Sequence, residues 1–438
     1  MTDLVIRNTT IVTCDGQNTV LTDGGVAVEN GRITRIAPSS ELESAASNAR
    51  EVVDGTGHIL MPGLVNAHCH AGDSLFRGLV EDLPLEPWLQ VVWKAQGATL
   101  NRETTRLGSM LGLSELLLSG VTTTMDMFWY PDETVHAART LGARISTGGI
   151  FFDPPGVTGD DLKGRIAAAE RFFEEFGDAE DVFPAVLPHG AYTVSPDNLK
   201  TAKQIADRHG ALFCTHAAET RAEQADISSR YGRTVIRHLD HLGLLDERTV
   251  LAHCVHLDDE EIDILARSGA SAVHNPMSNL KLASGFARVP EMLTAGIPLA
   301  LGTDGAISGN DLDMWMALRL AATMHKGYTG RADAVSTAQA LAMATTAGAK
   351  SLDAEERIGS LEPGKFADMI LIDIKRPHAV PMFDPVTHLV YSTAKSDVRH
   401  VFVGGRQVVR NGALTQHDIA ETIAQVEQLQ PKIAASIA

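Results

Sequence analysis

Short apolar runs that end in a polar residue recur along the middle of the chain, separated by stretches with helical period. Pro62-Gly63-Leu64-Val65-Asn66-Ala67-His68-Cys69-His70 climbs from a Pro-Gly turn into His-x-His. Ala211-Leu212-Phe213-Cys214-Thr215-His216 ends in a histidine with Glu219 three residues on, and Thr249-Val250-Leu251-Ala252-His253 ends in another. Ile297-Pro298-Leu299-Ala300-Leu301-Gly302-Thr303-Asp304 ends in an aspartate. Eight strand candidates of this kind fall at 62–70, 120–127, 143–150, 183–191, 211–219, 249–257, 269–276 and 298–305. Amphipathic stretches such as 197–208 and 258–268 lie between them. Strands alternating with helices predict a parallel α/β sheet, and eight is the number that closes a (β/α)8 TIM barrel.

The two ends of the chain have another texture. Strand patterns at 4–7, 10–13, 25–28 and 32–36 are joined by turns, and Asn30-Gly31 is a strong hairpin signal. The N-terminus from Met1 to Arg7 reads as a strand. The pattern returns at 367–373 and 398–403, where Gly404-Gly405 turns the chain into Gln407-Val408-Val409. The expected organisation is a small β-sandwich domain from 1–58 and 358–415, a barrel over 59–357, and a C-terminal helix over 416–438. Residues 71–97, with Arg77-Gly78, Trp88 and Trp93, read as a loop with a short helix capping the barrel mouth.

Composition narrows the function classes. The 438 residues are 44% hydrophobic and 21% charged, with a net charge of -18. That charge speaks against nucleic acid or an anionic membrane as a partner, since phosphate contacts need a basic face. No apolar run approaches the ~20 residues of a membrane span. None of Cys14, Cys69, Cys214 and Cys254 has Cys-x-x-Cys spacing, so they read as small buried core residues rather than a thiolate zinc site. Few cysteines and no recognisable secretion signal predict a cytoplasmic protein. The expected partners are a small-molecule substrate and further copies of the chain in a homo-oligomer.

Strand alternation puts His68 and His70 on one side and Cys69 on the other. In a barrel the C-terminal strand ends converge on one mouth, so His68, His70, His216 and Asp304 can meet there. Taken singly, His216 or His253 is more often a satisfied buried histidine, and Asp304 a turn residue; their joint pattern makes a metal site. Three imidazoles and a carboxylate suit a borderline divalent cation.

These segments resemble the amidohydrolase superfamily, in its mononuclear deaminase and chlorohydrolase branch. The likeness also rests on His189-Gly190-Ala191-Tyr192-Thr193, His216-Ala217-Ala218-Glu219, Ala252-His253-Cys254-Val255-His256 and Ser278-Asn279-Leu280-Lys281-Leu282. It continues through Gly302-Thr303-Asp304-Gly305 to the stretch from Gly359 to Asp368. The resemblance implies that His68, His70, His216 and Asp304 bind one divalent metal, zinc or alternatively iron. It makes Glu219 the proton shuttle, sets His253 against the attacking water, and sets His189 against the substrate ring. Fourth-strand lysines of binuclear relatives have no counterpart before Lys200, so one ion per chain is expected. Asp304 takes a proton from the water, and Glu219 protonates a ring nitrogen and then the departing amine.

The implied activity is hydrolytic deamination of a nitrogen heterocycle of purine, pyrimidine, pterin or triazine type, with ammonia released. Dechlorination of a halo-triazine on the same scaffold, or deamination of a methylthioadenosine/S-adenosylhomocysteine-type nucleoside, remains open. Ribose-binding relatives tend to carry a glutamate about 27 residues after the second metal histidine, where this chain has Gln96-Gly97. That favours a free base. Trp88 stands between stacking on substrate and packing the lid. Arg77 is expected to brace the lid, His256 to be structural, His274 to be structural or at the pocket rim, and Met314-Trp315-Met316 to pack a helix.

Overall fold

The computed structural model describes residues 2–17 and 19–438. Eight parallel strands form the centre: Leu64–His70, Val121–Asp126, Arg144–Phe151, Val182–Pro188, Leu212–Ala217, Thr249–His253, Ser271–His274 and Leu299–Leu301. The last of these pairs with Ser271–His274, and its continuation Asp304–Gly305 pairs with Cys69 and His70 of the first. The sheet therefore closes on itself, and the break at Gly302-Thr303 turns the eighth strand across to meet the first. All eight expected strands are present, most of them shorter than their sequence windows because the polar ends have already turned out of the ladder.

Alternation fills the barrel. Val65, Ala67, Met125, Met127, Phe183, Ala185, Leu212, Cys214, Val250, Val273 and Ala300 share one interior cluster. Leu64, Cys69, Phe213, Leu251, Leu299 and Leu301 face the helix layer. The first strand does not keep strict parity. Its pairing shifts between Asn66 and Cys69, so Val65 and Ala67 point inward below while His68 and His70 point inward at the mouth. A bulge of this kind re-aims side chains next to a site.

The two chain ends build one further nine-stranded sheet, in the order Ala413–Leu414, Arg406–Arg410, Val398–Val403, Met369–Asp373, His58–Pro62, Leu4–Val12, Val20–Glu29 and Arg32–Pro38, with Glu51–Asp54 beside Leu4–Val12. The first strand is continuous where the sequence suggested two. Asn8 adopts a left-handed φ of 60°, and the register shifts around it. Met1, included in that expected strand, lies outside the described residues. Asn30-Gly31 and Gly404-Gly405 all have positive φ, as tight hairpin turns require. Ile33, Leu60, Leu361, Met369 and Phe402 share one apolar cluster, so distant strands of this sheet face each other.

His58–Pro62 pairs with Met369–Asp373, so the chain passes from one sheet to the other at Gly63. The junction is clamped by a buried ion pair. Arg144, at the foot of the third barrel strand, donates Nε–H to Asp368 Oδ2 at 2.7 Å and Nη2–H to Oδ1 at 3.2 Å. Asp368, the last residue of the Gly359–Asp368 motif, thus joins the two sheets and stands away from the barrel mouth.

The lid is more ordered than a loop with a short helix. A 3-10 turn, Ala71–Phe76, leads to a four-turn helix, Leu85–Thr99. The terminal helix Ile419–Ile437 packs along it, with Ile433, Val426 and Leu429 in the same cluster as Trp88 and Val92. Arg77 braces the lid as expected, through Asn310 O at 2.7 Å and the Glu115 carboxylate. All four cysteines are buried free thiols. The Met314–Thr329 helix buries Trp315, whose Nε1–H donates to Ser119 O. Among the described residues no helix is long and apolar enough to cross a membrane.

Candidate active site at the barrel mouth

The geometry brings His68, His70, His216 and Asp304 together from the first, fifth and eighth strands. Asp304 Oδ1 lies 3.2 Å from His70 Nε2 and 3.6 Å from His68 Nε2. The Nε2 atoms of His70 and His216 are 3.3 Å apart. Each of these two rings donates its Nδ1–H to a backbone carbonyl at 2.6 Å, Met127 O for His70 and His189 O for His216. Both Nε2 lone pairs therefore face the same point. Among the described residues His68 Nε2 is buried with no hydrogen-bond partner, and it belongs to the same group. Converging lone pairs repel unless a cation sits among them, and carbonyl-anchored imidazoles beside a carboxylate are the usual surroundings of a metal ligand. The donor set fits a divalent cation.

His253 completes the ring of histidines, its centroid 5.6 Å from His68 and 5.5 Å from His216. By alternation it would share the outward face of Leu251. Instead His253 and Cys254 adopt left-handed φ of 77° and 47°, and the ring turns inward. Ala218 and Asp304 are left-handed as well, at 55° and 60°. Strained backbone concentrated at one mouth is a mark of functional geometry. Asn279 Oδ1 lies 2.8 Å from His253 Nδ1 and fixes the ring, which leaves Nε2 facing Glu219 Oε2 at 3.7 Å.

Glu219 is buried, and burial raises its carboxyl above the ordinary range against the pull of His253. Ser284 donates to its Oε1 at 3.4 Å, and Ser284 O is in turn 2.7 Å from His256 Nε2. His256 is thus structural in a specific sense: it holds the loop that holds Glu219. Burial also pushes Asp304 upward, yet the His68 and His70 imidazoles beside it keep it well below the carboxylate norm. His68 is pulled down to about 4 by burial, and His189 to about 3 by burial and the neighbouring imidazoles. Both are neutral at pH 7, the state in which an imidazole can ligate or accept.

The cavity above these residues is lined by Trp88, Trp93, Gln96, Trp129, Phe152, His189 and Tyr192 as well as by Glu219, His253 and Asp304. His189 is held through Nδ1 by Thr193 Oγ1 at 2.9 Å. Trp88 lines the cavity with its indole N–H buried and, among the described residues, unpartnered. His274 lies elsewhere: it pairs with His325 at 3.3 Å on the helix side of the seventh strand, opposite in parity to the inward Val273. Sequence reasoning missed Asn279, Ser284 and Asp73. Asn279 lay inside the quoted Ser-Asn-Leu-Lys motif, the one signal that was available.

The sequence profile of the amidohydrolase family matches residues 59–408. The 5-methylthioadenosine/S-adenosylhomocysteine deaminase of Syntrophobacter fumaroxidans is 38% identical over 98% of this chain and 97% of its own. The 5'-deoxyadenosine deaminase of Methanosarcina acetivorans is 37% identical over 99% of both. An adenosine deaminase of Xanthomonas campestris, solved with bound zinc, superposes with a TM-score of 0.95 at 33% identity over 99% of both chains.

Proposed function

Because the chain belongs to the amidohydrolase family, we propose that it is a metal-dependent hydrolytic deaminase that replaces an amino group on a nitrogen heterocycle by oxo and releases ammonia. The observation that carries this reading is the meeting, in one aromatic cavity, of converging imidazole lone pairs with a buried carboxyl at Glu219. His68, His70, His216 and Asp304 would hold one divalent ion, zinc by the likeness to the zinc-bound relative. Such an ion polarises a water molecule and lowers its pKa from 15.7 towards about 7.

The chain's own groups do the rest. Asp304, kept ionised by His68 and His70, accepts a proton from the attacking water. His253 orients that water through Nε2, since its Nδ1 is tied to Asn279. Glu219 carries a proton to a ring nitrogen beside the reacting carbon, which lets electrons leave the aromatic system, and then serves the departing amine. His189 and the Trp88 indole bound the heterocycle. Water adds, ammonia leaves, and the ring keeps a carbonyl.

The three relatives named above carry adenine nucleosides in their names, which supports a 6-aminopurine nucleoside-type substrate over the free base suggested by Gln96-Gly97. They likewise support ammonia over chloride as the leaving group. The test is ammonia release from adenosine, 5'-deoxyadenosine, methylthioadenosine and adenine, beside chloride release from a chloro-triazine, with zinc-loaded protein. Chloride release without ammonia from any amine would overturn the reading.

A further inference from the structure

Two polar side chains in the cavity take no part in the steps above. Asp73 lies in the 3-10 turn three residues after His70 and is 5% exposed. Its Oδ1 accepts from Gln96 Nε2 at 2.8 Å. Gln96 Oε1 in turn accepts from the Trp129 indole N–H at 3.3 Å. An indole only donates and a carboxylate only accepts, so these neighbours fix which way the Gln96 amide points. Asp73, Gln96 and Trp129 all line the cavity that holds Glu219.

The other oxygen, Oδ2, has no hydrogen-bond partner among the described residues, and it is absent from the fully enclosed atoms. It lies 3.4 Å from where a Cβ on Gly305 would stand, next to Asp304. Asp73 follows the first strand and Glu219 the fifth, which are opposite each other in an eight-stranded barrel. An accessible acceptor in a cavity walled by Leu85, Val92, Met127 and Phe128 can be hydrated while the cavity is open, but a ligand that covers it without supplying a donor leaves it unsatisfied at a cost.

We infer that Asp73, oriented by Gln96, is a specificity-determining residue whose open oxygen accepts a hydrogen bond from an N–H or O–H of the substrate, across the reacting carbon from Glu219. This rests on the deaminase reading only for the identity of the reacting carbon. The donor has two sources, a ribose hydroxyl of a nucleoside or a ring N–H of a free heterocycle.

The experiment measures kcat/KM for adenosine, 2'-deoxyadenosine, 3'-deoxyadenosine and adenine in wild type, Asp73→Ala, Asp73→Asn and Gln96→Leu. Metal content and thermal unfolding are checked for each. A hydroxyl donor predicts that wild type prefers adenosine over one deoxy analogue at least tenfold, and that Asp73→Ala brings that ratio to near one. A ring N–H donor predicts instead that Asp73→Ala lowers the adenine value at least tenfold more than the adenosine value. In either case Gln96→Leu, which leaves the carboxylate but frees it, moves the same ratio less far. An equal loss on all four substrates, or no loss, overturns the inference, and so does loss of the metal from Asp73→Asn. If wild type releases no ammonia, the deaminase reading fails by itself. Quenching of the cavity tryptophans then tests Asp73 directly, by whether the ratio of Kd values between the same ligands changes in Asp73→Ala.

Discussion

The floor of the cavity is carried by strand ends, its roof by one helix that a second helix covers. On the floor, most of the candidate functional side chains have a second contact that fixes them. His70 and His216 are tied to carbonyls, His253 to Asn279, and Glu219 to Ser284. The strands beneath are buried on both faces. The roof helix Leu85–Thr99 meets the terminal helix Ile419–Ile437, and polar ties from it to the floor are few: Gln96 to Asp73 and Trp129, and the Glu86 carboxylate accepting from Thr220. The difference separates two tasks. Rigid strand ends hold reacting atoms, where small displacements are costly. A helix resting on another helix sets what fits above them. Changes in the floor should therefore fall on turnover, and changes in the roof on substrate binding.

The strongest test of the floor removes two ligands at once. A His68→Ala, His70→Ala double variant should lose its divalent ion and at least ~10³-fold in turnover, since Lewis-acid polarisation supplies several kcal/mol. Elemental analysis reads the first effect and steady-state kinetics the second. Two ions per wild-type chain, or an unchanged ion content in the variant, would break the assignment.

Glu219→Gln keeps the shape and removes the titrating group. Metal and fold should persist while turnover falls by ~10² or more, the scale of a general acid–base group. The loss should sit in kcat. A variant turning over near the wild-type rate would mean that another carboxyl moves the proton, with Glu223, which accepts the Glu219 backbone N–H, the neighbouring candidate.

Much of this floor was legible because strand periodicity and barrel topology both act on neighbours in sequence. His216 shares the parity of Leu212 and Cys214, and Asp304 that of Ala300. Where the backbone leaves regular φ/ψ, parity fails. His253 turns inward through a left-handed residue, and a shift in pairing lies behind His68. His274, left open between a structural place and the pocket rim, shows the reverse: in the structure regular alternation from the inward Val273 turns it outside. The roles of Asn279, Ser284 and Asp73 were not legible, although Asn279 lay inside a quoted motif, since each acts through a contact between elements distant in sequence whose approach no local pattern encodes. The same reason hid the length of the roof helix, which is stabilised by Ile419–Ile437 more than 300 residues away.

Behind the floor, Glu223 accepts the Glu219 backbone N–H at 2.7 Å and leaves Oε1 buried and, among the described residues, unpartnered. Burial raises its carboxyl from 4.5 to about 7. Between those values the native state holds a proton that the unfolded chain has lost, so stability should fall as pH rises across that window. Glu223→Gln should flatten this slope, gaining about 2 kcal/mol on wild type between pH 5 and pH 8. Urea midpoints at the two pH values measure it. Parallel profiles for the two proteins would show that the Glu223 carboxyl titrates alike in the folded and unfolded chain, and that its burial costs nothing.

The roof is tested most finely at Trp88. Its indole ring lines the cavity, and its buried N–H has no partner among the described residues, so packing alone leaves a donor unsatisfied. A substrate oxygen or nitrogen in reach of that N–H would satisfy it. Trp88→Phe keeps an aromatic face and deletes only the donor. One hydrogen bond is worth about 1 kcal/mol net, so KM should rise about fivefold while kcat changes little. Trp88→Ala, which also removes the face and loosens contact with Val92, should raise KM further and lower thermal stability. If Trp88→Phe leaves KM unchanged while Trp88→Ala only lowers the melting temperature, Trp88 packs the roof and reads nothing. If Trp88→Phe instead lowers kcat without touching KM, the roof takes part in the chemistry and the division between the two walls does not hold.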